Sequence, residues 1–178
     1  MKKFILFIFI FILILTPKAQ AEEFQYIFND TCIKELYDEA EKDINDDNIN
    51  IIKDSRGIIL RFKLENIDDN FRDLTPKTIE NLSKIRDFLA KIKNLAIIEV
   101  HAEEIKNKKR AELKNWEIST VIANNAEQFM TKSASGIEIS RIVSVGYGEF
   151  LPEKNTPYNG GKYLNRIDII VLCNVSGE

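Results

Sequence analysis

With 178 residues, 44% of them hydrophobic and 30% charged, the chain has room for one domain and a short extension, and its composition is that of an ordinary soluble protein. The formal charge of −3 argues against nucleic acid as a partner. A single histidine, with no nucleophile–base pair, phosphate-cradling Gly-rich loop or paired-metal spacing beside it, leaves little for catalysis, so no enzymatic activity and no cofactor are expected.

Met1-Lys2-Lys3 precedes twelve uninterrupted apolar residues, Phe4 to Leu15, then Thr16-Pro17-Lys18 and the small-residue site Ala19-Gln20-Ala21. Residues 1–21 read as a secretory signal peptide cleaved after Ala21, because the apolar run falls short of the roughly 20 residues a membrane span needs. Cleavage removes Lys2, Lys3 and Lys18 and takes the charge of the mature chain to −6. The expected destination is the periplasm and cell envelope, with outer-membrane association, and no integral span is expected in the mature chain. No Cys follows the cleavage site, so the chain is not written as a lipoprotein.

Residues 22–49 read as an N-terminal helical extension and linker. Ile33, Leu36, Tyr37, Ala40 and Ile44 fall on one helical stripe, with Asp30 or Thr31 as its N-cap, and the polar run 43–50 reads as a connector. That stripe either packs on the domain's own sheet, the preferred reading, or docks a partner. Residues 50–174 form the domain proper, followed by a tail over 175–178. Asp54 to Gly57 is a turn, and Ile58 to Leu64 alternates as a first strand. Thr75-Pro76 supplies an N-cap and a proline at the first helical position. The helix it opens has Ile79, Leu82, Ile85, Phe88, Leu89 and Ile92 for its core face.

Leu95 to Val100 is a short β-branched run, read as a buried strand emerging at His101, Ala102 and Glu103. A basic loop with Lys106, Lys108, Lys109, Arg110 and Lys114 leads to a second domain helix over 111–132, packing through Ile118, Val121, Ile122, Ala126, Phe129 and Met130. The loop reads either as a solvated segment or as an attractant for anionic wall polymer. Ile137 to Val145 is the third strand, 149–164 an irregular loop with Pro152, Pro157, Gly160 and Gly161, and Arg166 to Leu172 the last strand. The order β-α-β-α-β-loop-β implies an α/β (α+β) two-layer sandwich with helices packed on a mixed sheet. Cys32 and Cys173 sit near opposite ends of the mature chain. Export permits a bridge between them, and two unpaired thiols are the alternative.

The segment Val100 to Ala123, VHAEEIKNKKRAELKNWEISTVIA, resembles the strand, loop and helix of the OmpA-like peptidoglycan-binding domain family (OmpA, Pal and MotB), whose pattern is G-H-T-D, a variable loop, then N-x-x-L-S-x-x-R-A. Asn115-Trp116-Glu117-Ile118-Ser119 is close to the N-W-E-L-S of the MotB branch. A second block, Gly136 to Arg166, resembles the family's next stretch through Gly146-Tyr147-Gly148-Glu149, Pro152, Asn155 and a closing N-R-R-type motif at Leu164-Asn165-Arg166. The resemblance covers about residues 50–173. The apolar run Phe4 to Leu15 lacks the acidic residue of a motor stator span, which sets the motor reading aside.

The resemblance implies non-covalent binding of peptidoglycan through its stem peptide. In the family, the Asp of G-H-T-D and the Arg of L-S-x-x-R-A clamp the zwitterionic end of diaminopimelate, a carboxylate to the ammonium and a guanidinium to the carboxylate. Here Glu103 stands at the Asp position and Ile122 at the Arg position, Val100 replaces the Gly and Ala102 the Thr, while Asn115 and Ser119 are kept. Asp68 matches a pocket-mouth residue whose aromatic neighbour is Ile67 here, and Arg166 is the surviving cation. The expected ligand-binding set is therefore Asp68, His101, Glu103, Asn115, Ser119, Ile122 and Arg166.

Two readings of Ile122 stay open. In one, the stem carries a diamine such as ornithine, whose ammonium pairs with Glu103 and which has no side-chain carboxylate for an Arg to meet. In the other, Ile122 is core, and the domain is an envelope scaffold making contacts with other envelope proteins through the Ile33 to Ile44 helix. Glu99, His101 and Glu103 alternate on one strand face, but with one histidine no metal site is expected. His101 is expected to shape the turn, with Trp116 and Tyr147 to Glu149 ordering the rim. Nothing in the sequence fixes an oligomeric state.

Overall fold

The computed structural model describes residues 30–64, 73–102, 115–132, 136–148, 150 and 165–173. Its elements in chain order are α1 (Asp30–Ile44), β1 (Asn50–Asp54), β2 (Gly57–Lys63), α2 (Pro76–Leu89), β3 (Ala96–His101), α3 (Asn115–Thr131), a 3₁₀ turn (Ile139–Arg141), β4 (Ile142–Gly148) and β5 (Arg166–Leu172). The strands form one mixed sheet in the order β1-β2-β5-β3-β4. Only the β3–β4 pairing is parallel. The last strand in sequence thus lies at the centre, pairing with β2 through seven residues and with β3 through six.

Alternation of side chains divides the sheet into two faces. Ile58, Leu60 and Phe62 of β2, Ile98 and Val100 of β3, and Ile167, Ile169 and Val171 of β5 join the core with Leu82, Ile85, Phe88 and Leu89 of α2 and Ile118, Ile122, Ala126 and Met130 of α3. Each of these large side chains contributes on the order of 1.5–3 kcal/mol by leaving water. The opposite face carries Arg61, Glu99, His101, Arg166 and Asp168, all buried.

The stripe of α1 is used up inside the molecule: Ile33, Leu36, Ala40 and Ile44 belong to the same core, and Lys53 of β1 lies 4.5 Å from the centroid of Tyr37. The preferred reading of this helix therefore holds. Of the two alternatives for Cys32 and Cys173, the structure has the bridge, which fastens α1 to the end of β5. Lys84 on α2 donates to Asp46 in the turn after α1, and that hydrogen bond, followed by one from the Asn48 N–H, holds the Asp46 carboxyl down at about 2.

Thr75 caps α2 as expected, its hydroxyl accepting from the Thr78 N–H at 3.2 Å with Pro76 opening the helix. Other expectations need correction. The connector read over 43–50 stops short: Asn50–Asp54 is a strand, paired with β2 across the two-residue turn Ser55-Arg56. The third domain strand starts later than Ile137, because Ile139–Arg141 makes a 3₁₀ turn, and runs on to Gly148. Arg141 in that turn donates to Leu89 O at 3.1 Å and Asn94 O at 2.9 Å, satisfying the last carbonyl of α2 and one in the connection to β3. Ile79 and Val121 are exposed, and Thr78, Asn81 and Ala123 occupy the buried helix positions instead. Among the described residues no helix is long and apolar enough to cross a membrane.

Candidate functional site

Strand β3 ends where α3 begins, and two glycines make the contact close. Gly146 and Gly148 lie on the face of β4 under the first turns of α3. A Cβ on Gly146 would sit 2.2 Å from the Thr120 nitrogen, and one on Gly148, whose φ is +58°, would sit 2.6 Å from the Trp116 nitrogen. No side chain fits between these backbones. The Gly148 N–H donates to Ser119 Oγ at 2.8 Å, and that hydroxyl donates to Trp116 O at 3.0 Å. On its other side Gly148 O accepts from the Ala102 N–H at 2.9 Å. One residue, Gly148, thus fixes the exit of β3 against the entry of α3.

Gly146→Ala is expected to force α3 off the sheet and to cost about 2–3 kcal/mol, since backbone rather than a movable side chain blocks the new methyl. Urea denaturation would show it as a lowered midpoint at unchanged slope. An alanine variant as stable as wild type would mean that the helix does not rest on this strand.

The residues expected to bind ligand separate onto different surfaces. Asn115 is the first residue of α3 and is half-buried. Ser119 is fully buried in the bridge just described, and Ile122, 5% exposed, packs in the core layer between α3 and the sheet. His101 and Arg166 are directly opposite each other across β3 and β5, on the face turned away from the described helices. Asp68 and Glu103 lie outside the described residues, as do Lys106, Lys108, Lys109, Arg110 and Lys114.

Two residues unforeseen in the sequence complete the group around His101. Asp168 stands opposite Arg61 on one side and Glu99 on the other. Arg61 grips it with both arms, Nε to Oδ1 at 2.7 Å and Nη2 to Oδ2 at 2.8 Å, and Arg166 Nε reaches Oδ2 at 3.0 Å. Glu99 accepts from Arg56 Nη1 at 3.3 Å, and Arg56 also pairs with Asp54 at 2.8 Å. The Tyr147 ring stacks on His101 with centroids 5.2 Å apart and planes 7° from parallel. Burial, and after it the Glu99 charge, pushes the Tyr147 phenol above its ordinary value. Arginines and carboxylates at the right offsets within β2 and β5 were visible in the sequence. Their meeting depends on β5 inserting between β2 and β3, which no local pattern records.

A model of the OmpA family matches residues 68–166, more than half of the chain. The chain belongs to the OmpA family. Among solved structures, this family member is similar to a MotB-like protein from Desulfovibrio vulgaris, with TM-score 0.63 and 19% identity over 83% of this chain and 96% of that one. It is also similar to the cell wall anchor of the type VI secretion system from Pseudomonas aeruginosa, with TM-score 0.56 and 17% identity over 78% and 97% of the two chains. A third likeness is to an outer membrane protein from Borrelia burgdorferi B31, with TM-score 0.51 and 24% identity over 70% and 97%. At these identities the likeness is one of fold. No curated protein sequence matches the chain.

Proposed function

We propose that this protein is exported to the periplasm, its signal peptide cleaved after Ala21, and that its OmpA-like domain holds peptidoglycan non-covalently through the diamine of the stem peptide. OmpA-like domains typically bind peptidoglycan in envelope proteins, and the similarity to a cell wall anchor supports that reading. The mature protein associates with the envelope by gripping the wall, using Glu103 for the diamine's ammonium and Asp68 and Asn115 at the rim, while Arg166, buried against Asp168, takes no part.

The observation that carries the Arg-less form of the clamp is the burial of Ile122. Its side chain is part of the hydrocarbon layer between α3 and the sheet, so this position offers no cation to a ligand carboxylate. A diamine that ends in an ammonium alone, such as ornithine, suits a pocket with a carboxylate and no guanidinium. Diaminopimelate would bring a carboxylate with nothing to meet it.

The test is retention of the mature protein on sacculi whose stems carry ornithine or diaminopimelate, with Glu103→Ala alongside. Wild type should be retained on the ornithine wall, and Glu103→Ala should weaken retention about 10- to 100-fold, the worth of a hydrogen bond to a charged group. Preference for the diaminopimelate wall would overturn the Arg-less clamp, and no retention on either wall would overturn peptidoglycan binding itself.

A further inference from the structure

The three buried groups Glu99, His101 and Asp168 do something the wall-binding reading leaves unused. His101 Nδ1 lies 3.3 Å from the Phe150 carbonyl oxygen. A carbonyl only accepts, so Nδ1 carries the hydrogen, and in the neutral ring the lone pair is on Nε2. That atom is buried and has no hydrogen-bond partner among the described residues. It faces two carboxylate oxygens, Glu99 Oε2 and Asp168 Oδ2, each 3.8 Å away. A lone pair facing two carboxylate oxygens repels both, and a cation held between the three groups would turn that repulsion into attraction.

We propose that Glu99, His101 and Asp168 form a binding site for a divalent transition cation, zinc being the best fit. With Nε2 3.8 Å from each carboxylate oxygen, the three donors share a point roughly 2.2–2.5 Å from each, at or slightly beyond the lengths of zinc bonds to imidazole nitrogen and carboxylate oxygen. The third separation, between the two carboxylates, stays within 4.8 Å, so a contraction of a few tenths of an ångström completes the site. One imidazole with two carboxylates suits zinc or a neighbouring first-row ion better than calcium or magnesium, which prefer oxygen ligands alone. The surroundings match a ligated histidine: Nδ1–H is anchored on a carbonyl and the ring is clamped by Tyr147.

The neighbouring cations set the strength of the site. Arg61 and Arg166 both bond Asp168, and Arg56 bonds the other oxygen of Glu99. Entry of the ion displaces the Arg166 Nε contact at 3.0 Å, the longest of the three on Asp168, and leaves the two-armed Arg61 grip in place. Arg166 therefore competes with the metal for Oδ2, and removing it should strengthen binding.

The experiment is a zinc titration of the oxidised mature protein, read by calorimetry and by the imidazole ¹⁵N resonances. His101 is the only histidine in the chain, so those signals need no assignment. The expected result is one zinc per chain, with Nε2 shifting far more than Nδ1 and magnesium leaving both unmoved. His101→Gln should weaken zinc at least tenfold, and Arg166→Gln, with the fold checked by circular dichroism, should bind it at least threefold more tightly than wild type. An Nε2 that carries a proton and stays unmoved at millimolar zinc would overturn the proposal. So would zinc binding insensitive to His101→Gln, which would locate it on surface carboxylates.

Discussion

Replacing Asp168 with alanine should destabilise the protein by about 3–5 kcal/mol, because it takes from two buried guanidinium groups the carboxylate they share. The side chains of Arg61, Asp168 and Arg166 are 8%, 3% and 5% exposed, so water cannot take over the lost bonds without opening the sheet. Asp168 lies on the central strand, and its three charge-assisted hydrogen bonds tie β5 to β2 and orient Arg166 on its own strand. Breaking such a group differs from exchanging it. The triple variant Arg61→Met, Arg166→Met, Asp168→Leu should recover most of the lost stability, since the carboxylate and both guanidinium groups leave the interior together. Urea denaturation of the single and triple variants is the measurement. A loss below about 1 kcal/mol for Asp168→Ala would mean that solvent reaches this face and that the pairs behave like surface ion pairs.

That network also marks where sequence reading ended. Local signals gave the start of α2 through Thr75-Pro76, α1 through its apolar stripe, and β5 through its alternation, although α2 closes at Leu89, short of the Ile92 expected on its core face. Strand β1 escaped because Asn50–Asp54 is a five-residue edge strand beside an Asp- and Asn-rich run, and such composition reads as a loop until its hairpin partner is known. The end of β4 escaped for a different reason. Gly146 and Gly148 look like strand breakers, yet here they lower the surface of the sheet so that the backbone of α3 can rest on it.

The same logic divides the candidate site. Asn115 and Ser119 were legible in one family motif and Gly148 in another, and Gly148 and Ser119 prove to be joined by a hydrogen bond that ties β4 to α3. Glu99 and His101 were legible as neighbours on one strand face. Asp168 was not, because its place between Arg61 and Glu99 follows from the strand order β2-β5-β3. Chemistry that depends on long-range register is invisible to periodicity, and the group around His101 depends on it entirely.

Removing the disulfide should be the second large effect, about 2–5 kcal/mol for Cys32→Ala with Cys173→Ala. The two cysteines are 141 residues apart, and closing so long a loop restricts the unfolded chain by roughly 5 kcal/mol in the chain-entropy account, the ceiling for this change. The loss should not fall evenly. Helix α1 meets β1, β2 and α2 through one stripe of four buried side chains, whereas β5 is hydrogen-bonded on both flanks. Once the tether is cut, α1 should be the first element to open, and its amides should lose exchange protection while those of β2, β3 and β5 keep theirs. Denaturation with and without reductant, with hydrogen exchange on the reduced protein, measures both parts. A midpoint unchanged by reduction would show that the helix is held by its packing alone, and a uniform loss of protection would show that α1 and the sheet unfold as one unit.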